Sequence, residues 1–178
     1  MARDKSIDVT ALGELLIDFT QNGMSPQGNP LFEANPGGAP CNVLSMLTRL
    51  GHRTAFIGKV GDDMFGRMLR ERAEAQGIDM SGLVTDRVVR TTLAFVQTFA
   101  DGDRDFSFYR NPGADVMLTR DEVERNKVLL EQARIFHFGT LSMTDETVER
   151  ATKEALTIAK DNGALISFDP NLHLRGSG

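Results

Sequence analysis

Thr54 to Gly77 reads TAFIGKVGDDMFGRMLRERAEAQG, and this stretch decides the fold class. TAFIGKV, from Thr54 to Val60, is a β-prone apolar run of strand length. Asp63 follows as an N-cap, and a helix is expected from there to Gln76, with Gly77 as its C-terminal stop. Phe65, Leu69 and Ala73 recur every four residues and give that helix its apolar stripe. Repeated along a chain, strands that feed amphipathic helices make a parallel sheet with helices on its faces.

The same alternation extends outward. Ile7 to Gly13 is a short β-prone opening, and Pro40 to Leu50 is a helix candidate with an early proline and Gly51 as its stop. Downstream come a strand at Arg134–Phe138 and a helix expected to be capped by Thr144, with Asp145 and Glu146 in its first turn. Val148, Ala151, Ala155 and Ala159 share one face of that helix, which ends at Gly163 before a further strand, expected to be buried, at Ala164–Phe168. Two segments break the alternation. Leu16–Ala34 is polar and interrupted by Gly23, Pro26, Gly28 and Pro30. Thr92–Ala100 and Asp105–Arg110 are β-prone runs flanking Asp101-Gly102-Asp103-Arg104, a hairpin signal. Together these breaks are expected to form a small β layer outside the main sheet.

The 178 residues suffice for one domain, and 40% hydrophobic with 25% charged residues is ordinary for a globular chain. A net charge of −5, with basic residues scattered along the chain, argues against a nucleic-acid partner. Cys41 is the single cysteine, which excludes a disulfide framework and a cysteine-rich metal site. The N-terminal residues lack an apolar signal region, and no apolar run approaches a membrane span, so a cytoplasmic location is expected.

The segment richest in chemistry is Asn35-Pro36-Gly37-Gly38-Ala39-Pro40-Cys41-Asn42. Two glycines let the backbone approach a ligand, and the following helix points free N–H groups at the same spot. Asn42 in the first turn can both donate and accept, which suits a polyhydroxyl ligand. The same residues also describe a glycine turn that simply starts a helix. Asp18, after the first strand, can accept two hydroxyl hydrogen bonds from a sugar, or can be a solvated loop charge.

Several ordered motifs resemble the PfkB family of carbohydrate kinases: Gly37-Gly38-Ala39-Pro40-Cys41-Asn42, Leu50-Gly51, Gly58 to Gly66, Arg90 to Val96, Phe108 to Asp115 and Phe168 to Leu172. The wording is closest to its fructokinase members and covers Asp8 to Leu172. The resemblance implies a ribokinase-like three-layer α/β/α sandwich with a mainly parallel sheet and a small β lid from segments at about 16–34 and 92–110. It implies that Asp18 and Asn42 bind sugar hydroxyls, with fructose as the favoured sugar substrate and Gly37 and Gly38 giving backbone room. Phe106, Phe108 and Arg110 share one strand face by period-two alternation, and Phe106 and Arg110 become candidate substrate contacts, with a plain surface arginine as the other reading of Arg110. Asp63, Phe65 and Gly66 are read as scaffold. Asn171 is expected near nucleotide phosphates and metal, ATP and Mg2+ being the implied cofactors. Lids of this kind often pair subunits, so a homo-oligomer is expected.

The sequence also departs from the family. The later Gly-Ala-Gly-Asp motif, which supplies the anion-holding helix N–H groups and the base, is absent, and so are the adenine-binding strands. No catalytic residue and no metal ligand is therefore assigned, and the chain is expected to be the N-terminal portion of a truncated ribokinase-like domain. His173 stands where fructokinase-like members usually carry arginine, and the ending Arg175-Gly176-Ser177-Gly178 resembles a linker. The alternatives are a non-catalytic sugar-binding or assembly module, or a kinase for ribose, a nucleoside or a keto-deoxy sugar acid. A nicotinamide-binding domain fails for want of Gly-x-Gly-x-x-Gly after the first strand, and Gly58-Lys59 lacks the context of a Walker loop. His52, His137 and His173 are isolated in sequence.

Overall fold

The computed structural model describes residues 5–98 and 104–171. Strands β1 (Ile7–Leu12), β4 (Thr54–Gly61), β5 (Asp79–Asp86), β8 (Ala133–Gly139) and β9 (Leu165–Asp169) form one sheet in the order β5-β4-β1-β8-β9, with every pairing parallel. Side-chain alternation along its strands makes two cores. Leu12, Ala55, Ile57 and Phe136 face α3 (Arg120–Arg125), α4 (Val128–Glu131) and α5 (Glu146–Asp161), meeting Val123, Leu130, Val148 and Ala155. Val9, Ala11 and Phe56 face α1 (Ala39–Arg49) and α2 (Met64–Ala75), meeting Leu44, Leu69 and Ala73. This is the expected three-layer sandwich. Each large apolar side chain so buried contributes about 1.5–3 kcal/mol.

The two breaks in the alternation form a separate sheet. β2 (Leu16–Met24), β3 (Pro30–Gly37), β6 (Leu93–Thr98) and β7 (Arg104–Tyr109) lie in the order β3-β2-β6-β7, with β2 and β6 parallel and the other pairs antiparallel. One face carries an aromatic ladder: Phe19 stacks on Phe95 at 4.9 Å, and Phe32 and Tyr109 meet Phe95 edge-on at 5.6 and 5.3 Å. Phe65 of α2 meets Phe19 at 5.5 Å and joins this sheet to the sandwich. The turn 101–104 expected between β6 and β7 lies largely outside the described residues.

The caps explain where helices start. Asp63 accepts from Phe65 N at 3.1 Å and Gly66 N at 2.9 Å, as a capping carboxylate should. It also accepts from Thr91 N and Thr91 Oγ1, both at 2.8 Å, which ties the start of α2 to the segment entering β6. Gly66 has no room for a side chain: a Cβ would lie 2.1 Å from Gly61 O.

Two expectations need correction. The cap of α5 is Asp145, which accepts from Thr147 N at 2.9 Å; Thr144 instead donates to Leu141 O at 2.8 Å and closes the preceding 3-10 turn. The strand expected to be buried, β9, is exposed, with Leu165 at 71% and Phe168 at 49%. It is an edge strand with only β8 beside it, so its hydrophobic run signals a pairing position rather than burial. Leu16–Ala34 joins the expected β layer as two strands connected by a turn at Ser25–Asn29, in which Gly28 has φ 81°. Ala114–Glu131 holds a 3-10 turn, α3 and α4, elements beyond the strand–helix alternation. Its signal was present: Thr119 and Glu122 make a capping box.

Lys59 of β4 is buried and bridges Asp86 of β5 at 3.0 Å and Glu122 of α3 at 2.9 Å, also donating to Met117 O at 3.1 Å. It clips the sheet to the Ala114–Glu131 segment. Hydrogen bonds from the Val89 and Val88 N–H groups, with Lys59, hold the Asp86 carboxyl below its usual range. At Glu122 burial works the other way but is outweighed by hydrogen bonds from Thr119 and Lys59, and its pKa is also lowered. No helix among the described residues is long and apolar enough to cross a membrane.

Candidate functional site: the turn between β3 and α1

The site is built where β3 hands over to α1. Gly38 precedes the helix at φ 118°, a backbone conformation that favours glycine, and a Cβ there would lie 2.3 Å from Glu14 O. Gly38 offers no side-chain cap, so the cap comes from elsewhere in the chain: Glu14, just past β1, accepts from Ala39 N at 2.8 Å through Oε1. Gly37 is the second close approach, since a Cβ would meet Asp18 Oδ2 at 2.2 Å. The carboxylate of Asp18 therefore lies directly over the glycine turn.

Asp18 is half-buried in β2, and its carboxylate makes no hydrogen bond or ion pair with another described residue. Burial raises its pKa. The register sets Asp18 beside Ala94 and Ala94 beside Phe108, so these three share the face of the second sheet opposite the aromatic ladder. Arg110 follows Phe108 by two positions just beyond β7. Asn42 is exposed in the first turn of α1 and lines a groove of about 280 Å³ between α1 and α2, together with Pro36 and Gly37 but not Asp18. Gly37 thus borders both the Asp18 carboxylate and the groove that carries Asn42.

The other candidates are placed as follows. Arg110 is committed to Asp115, donating from Nε at 3.3 Å and also from Nη2. The backbone of Phe106 pairs with Val96, and its side chain lies outside the described residues. Asn171 sits just past β9 with φ 44°, its N–H on Asp169 Oδ1 at 2.8 Å. In the five-stranded sheet β9 lies two strands from β1. His173 lies outside the described residues. His137 is buried against Ser167 Oγ at 3.0 Å, and burial lowers its pKa.

Sequence reasoning missed two buried carboxylates beside this turn. Asp115 is 3% exposed and accepts from Thr92 Oγ1 at 2.5 Å as well as from Arg110. Glu14 is 4% exposed, and its Oε2 has no hydrogen-bond partner. Burial is the main cause of a raised pKa at Glu14; the charge of Asp115 adds to it, while the Ala39 N–H and Arg110 oppose it. Asp115 ends the Phe108 to Asp115 motif and Glu14 directly follows the first strand, but a charged residue's burial is not written in its neighbours. Cys41 is buried beside Glu14, and its thiol is pushed up to about 11 by burial first and that carboxyl second, so it is no nucleophile.

The arrangement matches known proteins. The family described as pfkB family carbohydrate kinase matches residues 6–175. The chain belongs to that family. It is 47% identical to a fructokinase of Solanum tuberosum over 93% of its own length and 52% of that relative, and 49% identical to fructokinase-1 of Zea mays over 92% and 51%. The crystal structure of fructokinase from Xylella fastidiosa superposes with a TM-score of 0.86 at 35% identity, covering 96% of this chain and 54% of the other. A structure of fructokinase with bound ATP from the same organism superposes at 0.83 with 35% identity, covering 96% and 52%. The chain thus spans about half the length of the curated PfkB-family relatives it matches.

Proposed function

We propose that these residues are the acceptor-binding portion of an ATP-dependent sugar kinase of the fructokinase type, with fructose as acceptor. The observation that carries this reading is the Asp18 carboxylate, half-buried, free of protein partners and laid over Gly37. A carboxylate so placed accepts two hydroxyl hydrogen bonds from a polyol. Asn42 and the glycine turn add donors and backbone room. The second sheet acts as the lid, because Asp18 and Phe108 project from the face away from the aromatic ladder. The outer strands β3 and β7 and the exposed Phe32 and Tyr109 suit pairing of two copies through their lids.

ATP and Mg2+ are implied by the family, but the described residues do not by themselves fit them. No group of three or more His, Cys, Asp or Glu side chains among the described residues could hold a metal ion. Asn171 lies just past β9, an edge strand exposed over most of its length. ATP would supply the transferable phosphoryl group. In the proposal, these 178 residues bind and orient the sugar, and the base and anion-holding helix belong to further polypeptide, the Gly-Ala-Gly-Asp motif being absent here. Phosphoryl transfer relies on positioning and charge stabilisation. One lost anion-hole donor costs about 10²–10³ in rate, and a lost general base about 10²–10⁴.

The test is a coupled ADP-release assay on the isolated 178-residue chain with ATP, magnesium and fructose. No turnover above background is expected, with recovery when a polypeptide carrying the missing motif is added. In that reconstituted enzyme Asp18→Ala should raise the fructose requirement about 10–100-fold. Robust turnover by the isolated chain, or an unchanged fructose requirement in Asp18→Ala, overturns the reading.

A further inference from the structure

Asn22-Gly23 and Asn162-Gly163 are the two Asn-Gly pairs of the sequence, and glycine offers a side-chain amide carbon the least hindrance on its way to the next backbone nitrogen. The structure sets the two pairs in opposite surroundings. Asn162 ends α5: its N–H and its Nδ2 donate to Ile158 O at 3.2 and 2.9 Å, and Gly163 N donates to Lys160 O at 2.9 Å. With Ala164 N on Ala159 O at 2.9 Å, this is a closed helix stop with Gly163 in the left-handed region at φ 73°. Both the Asn162 amide and the nitrogen it would have to reach are engaged. Asn22 is exposed near the far end of β2, and its Nδ2 reaches Glu33 Oε2 at 3.4 Å, the long limit of a hydrogen bond. Beside it the β2–β3 register passes from Gln21–Phe32 to Met24–Pro30, so Asn22 and Gly23 together stand opposite Leu31 in a bulge. Gly23 has φ 83° and open space where a Cβ would be. The Asn22 side chain can therefore turn onto the Gly23 nitrogen without breaking a short hydrogen bond.

We propose that Asn22 is a site of spontaneous deamidation and that the charge this creates loosens the far end of the second sheet. Hydroxide takes the Gly23 N–H proton, and the nitrogen attacks Cγ of Asn22. The bond from Cγ to Nδ2 breaks, and ammonia leaves carrying a proton from water, which restores the hydroxide. Water then opens the cyclic succinimide at either carbonyl and leaves aspartate or isoaspartate at position 22. The reaction needs only water and hydroxide, and it stands independently of the acceptor reading. Either product sets a carboxylate where Nδ2 met Glu33, and facing like charges destabilise a strand pair. Isoaspartate also inserts a methylene into the main chain of β2, which disturbs the alternation of side chains on which register depends.

Peptide mass spectrometry of the 178-residue chain, held folded in mildly alkaline buffer, is the first test. The Asn22 peptide should convert from amide to acid about tenfold faster than the Asn162 peptide, which reacts only when its helix end opens. In urea, where neither pair is held, the two rates should converge. Equal rates in the folded chain overturn the site. A gap that persists unchanged in urea overturns it too, because sequence neighbours and not the fold would then set the rates. Asn22→Asp reproduces the charge alone: amide hydrogen exchange should quicken in β2 and β3 around the bulge and stay as it was in β4. Unchanged exchange around the bulge overturns the loosening and leaves the deamidation site standing.

Discussion

In the five-stranded sheet β4 is buried along its whole length, whereas in the four-stranded sheet burial falls away along β2 from Leu16 to Met24. The first sheet has helices on both faces and excludes water from Phe56 and Phe136. The second is joined to the sandwich through Phe65 against Phe19, the Asp63–Thr91 hydrogen bonds and the turn at Gly37–Gly38. A sheet covered on both sides is a scaffold. A sheet attached along one end and exposed toward its far end is a thinner layer, and Asp18 lies half-buried near the attached end.

Truncating the core of each sheet should expose the difference. Phe56→Ala is expected to lower global stability by about 3–5 kcal/mol, read from the urea midpoint at unchanged slope. Phe95→Ala removes stacking with Phe19 and edge contacts with Phe32 and Tyr109. At about 0.5–1.5 kcal/mol for each ring pair, beyond the area lost, its damage should be confined to β2, β3, β6 and β7 in hydrogen exchange. If Phe95→Ala melts the sandwich as readily as Phe56→Ala does, the two sheets form one cooperative unit and the contrast is false.

A smaller effect sharpens the attachment. Asp63→Ala removes a cap worth about 1–2 kcal/mol and, with it, both bonds to Thr91. Backbone hydrogen bonds from Thr91 and Gly66 outweigh the opposing effect of burial and hold the Asp63 carboxyl below its usual range. The stability it contributes is therefore present above the unfolded carboxylate pKa and lost as pH falls through the folded one. Faster amide exchange in β6 than in β4 is the expected signature; equal protection loss in both strands would make Asp63 a helix cap and nothing more.

Legibility followed the same division. The sandwich was readable because its strands and helices repeat apolar residues at periods two and four, and because Asp63, Gly51 and Gly77 mark the ends. The second sheet was readable only as an interruption, since β2 and β3 are exposed over much of their length and carry polar residues on both faces. Asp18 and the glycines were legible from local chemistry and motif. Glu14, Asp115 and Lys59 were not, because each owes its role to partners far along the chain: Ala39 for Glu14, Thr92 for Asp115, and Glu122 for Lys59. The error at β9 has the same origin, since a run of Leu165, Ile166 and Phe168 cannot say whether a neighbour will cover it.

The smallest expected effect concerns Glu14, at the joint between the two regions. Its folded-state pKa is raised, burial being the first cause, so in the window between the unfolded and folded values the native state holds the extra proton. Ionising Glu14 at neutral pH therefore costs native stability, and that cost disappears as pH falls through the folded pKa toward the unfolded one. Glu14→Gln cannot titrate, yet its carbonyl can still accept from Ala39 N. Losses that Asp63, Asp86 and Glu122 cause on acidification occur in parent and variant alike and cancel in the difference. The variant's melting temperature relative to the parent should be higher at neutral pH than near the unfolded carboxylate pKa, by about 2–4 °C for a change of ~1 kcal/mol in a domain of this size. Differential scanning calorimetry at the two pH values reads this directly. A difference that is constant with pH would mean that Glu14 is not the buried, partner-poor carboxyl described, and that the glycine turn is held by an ordinary ionised cap.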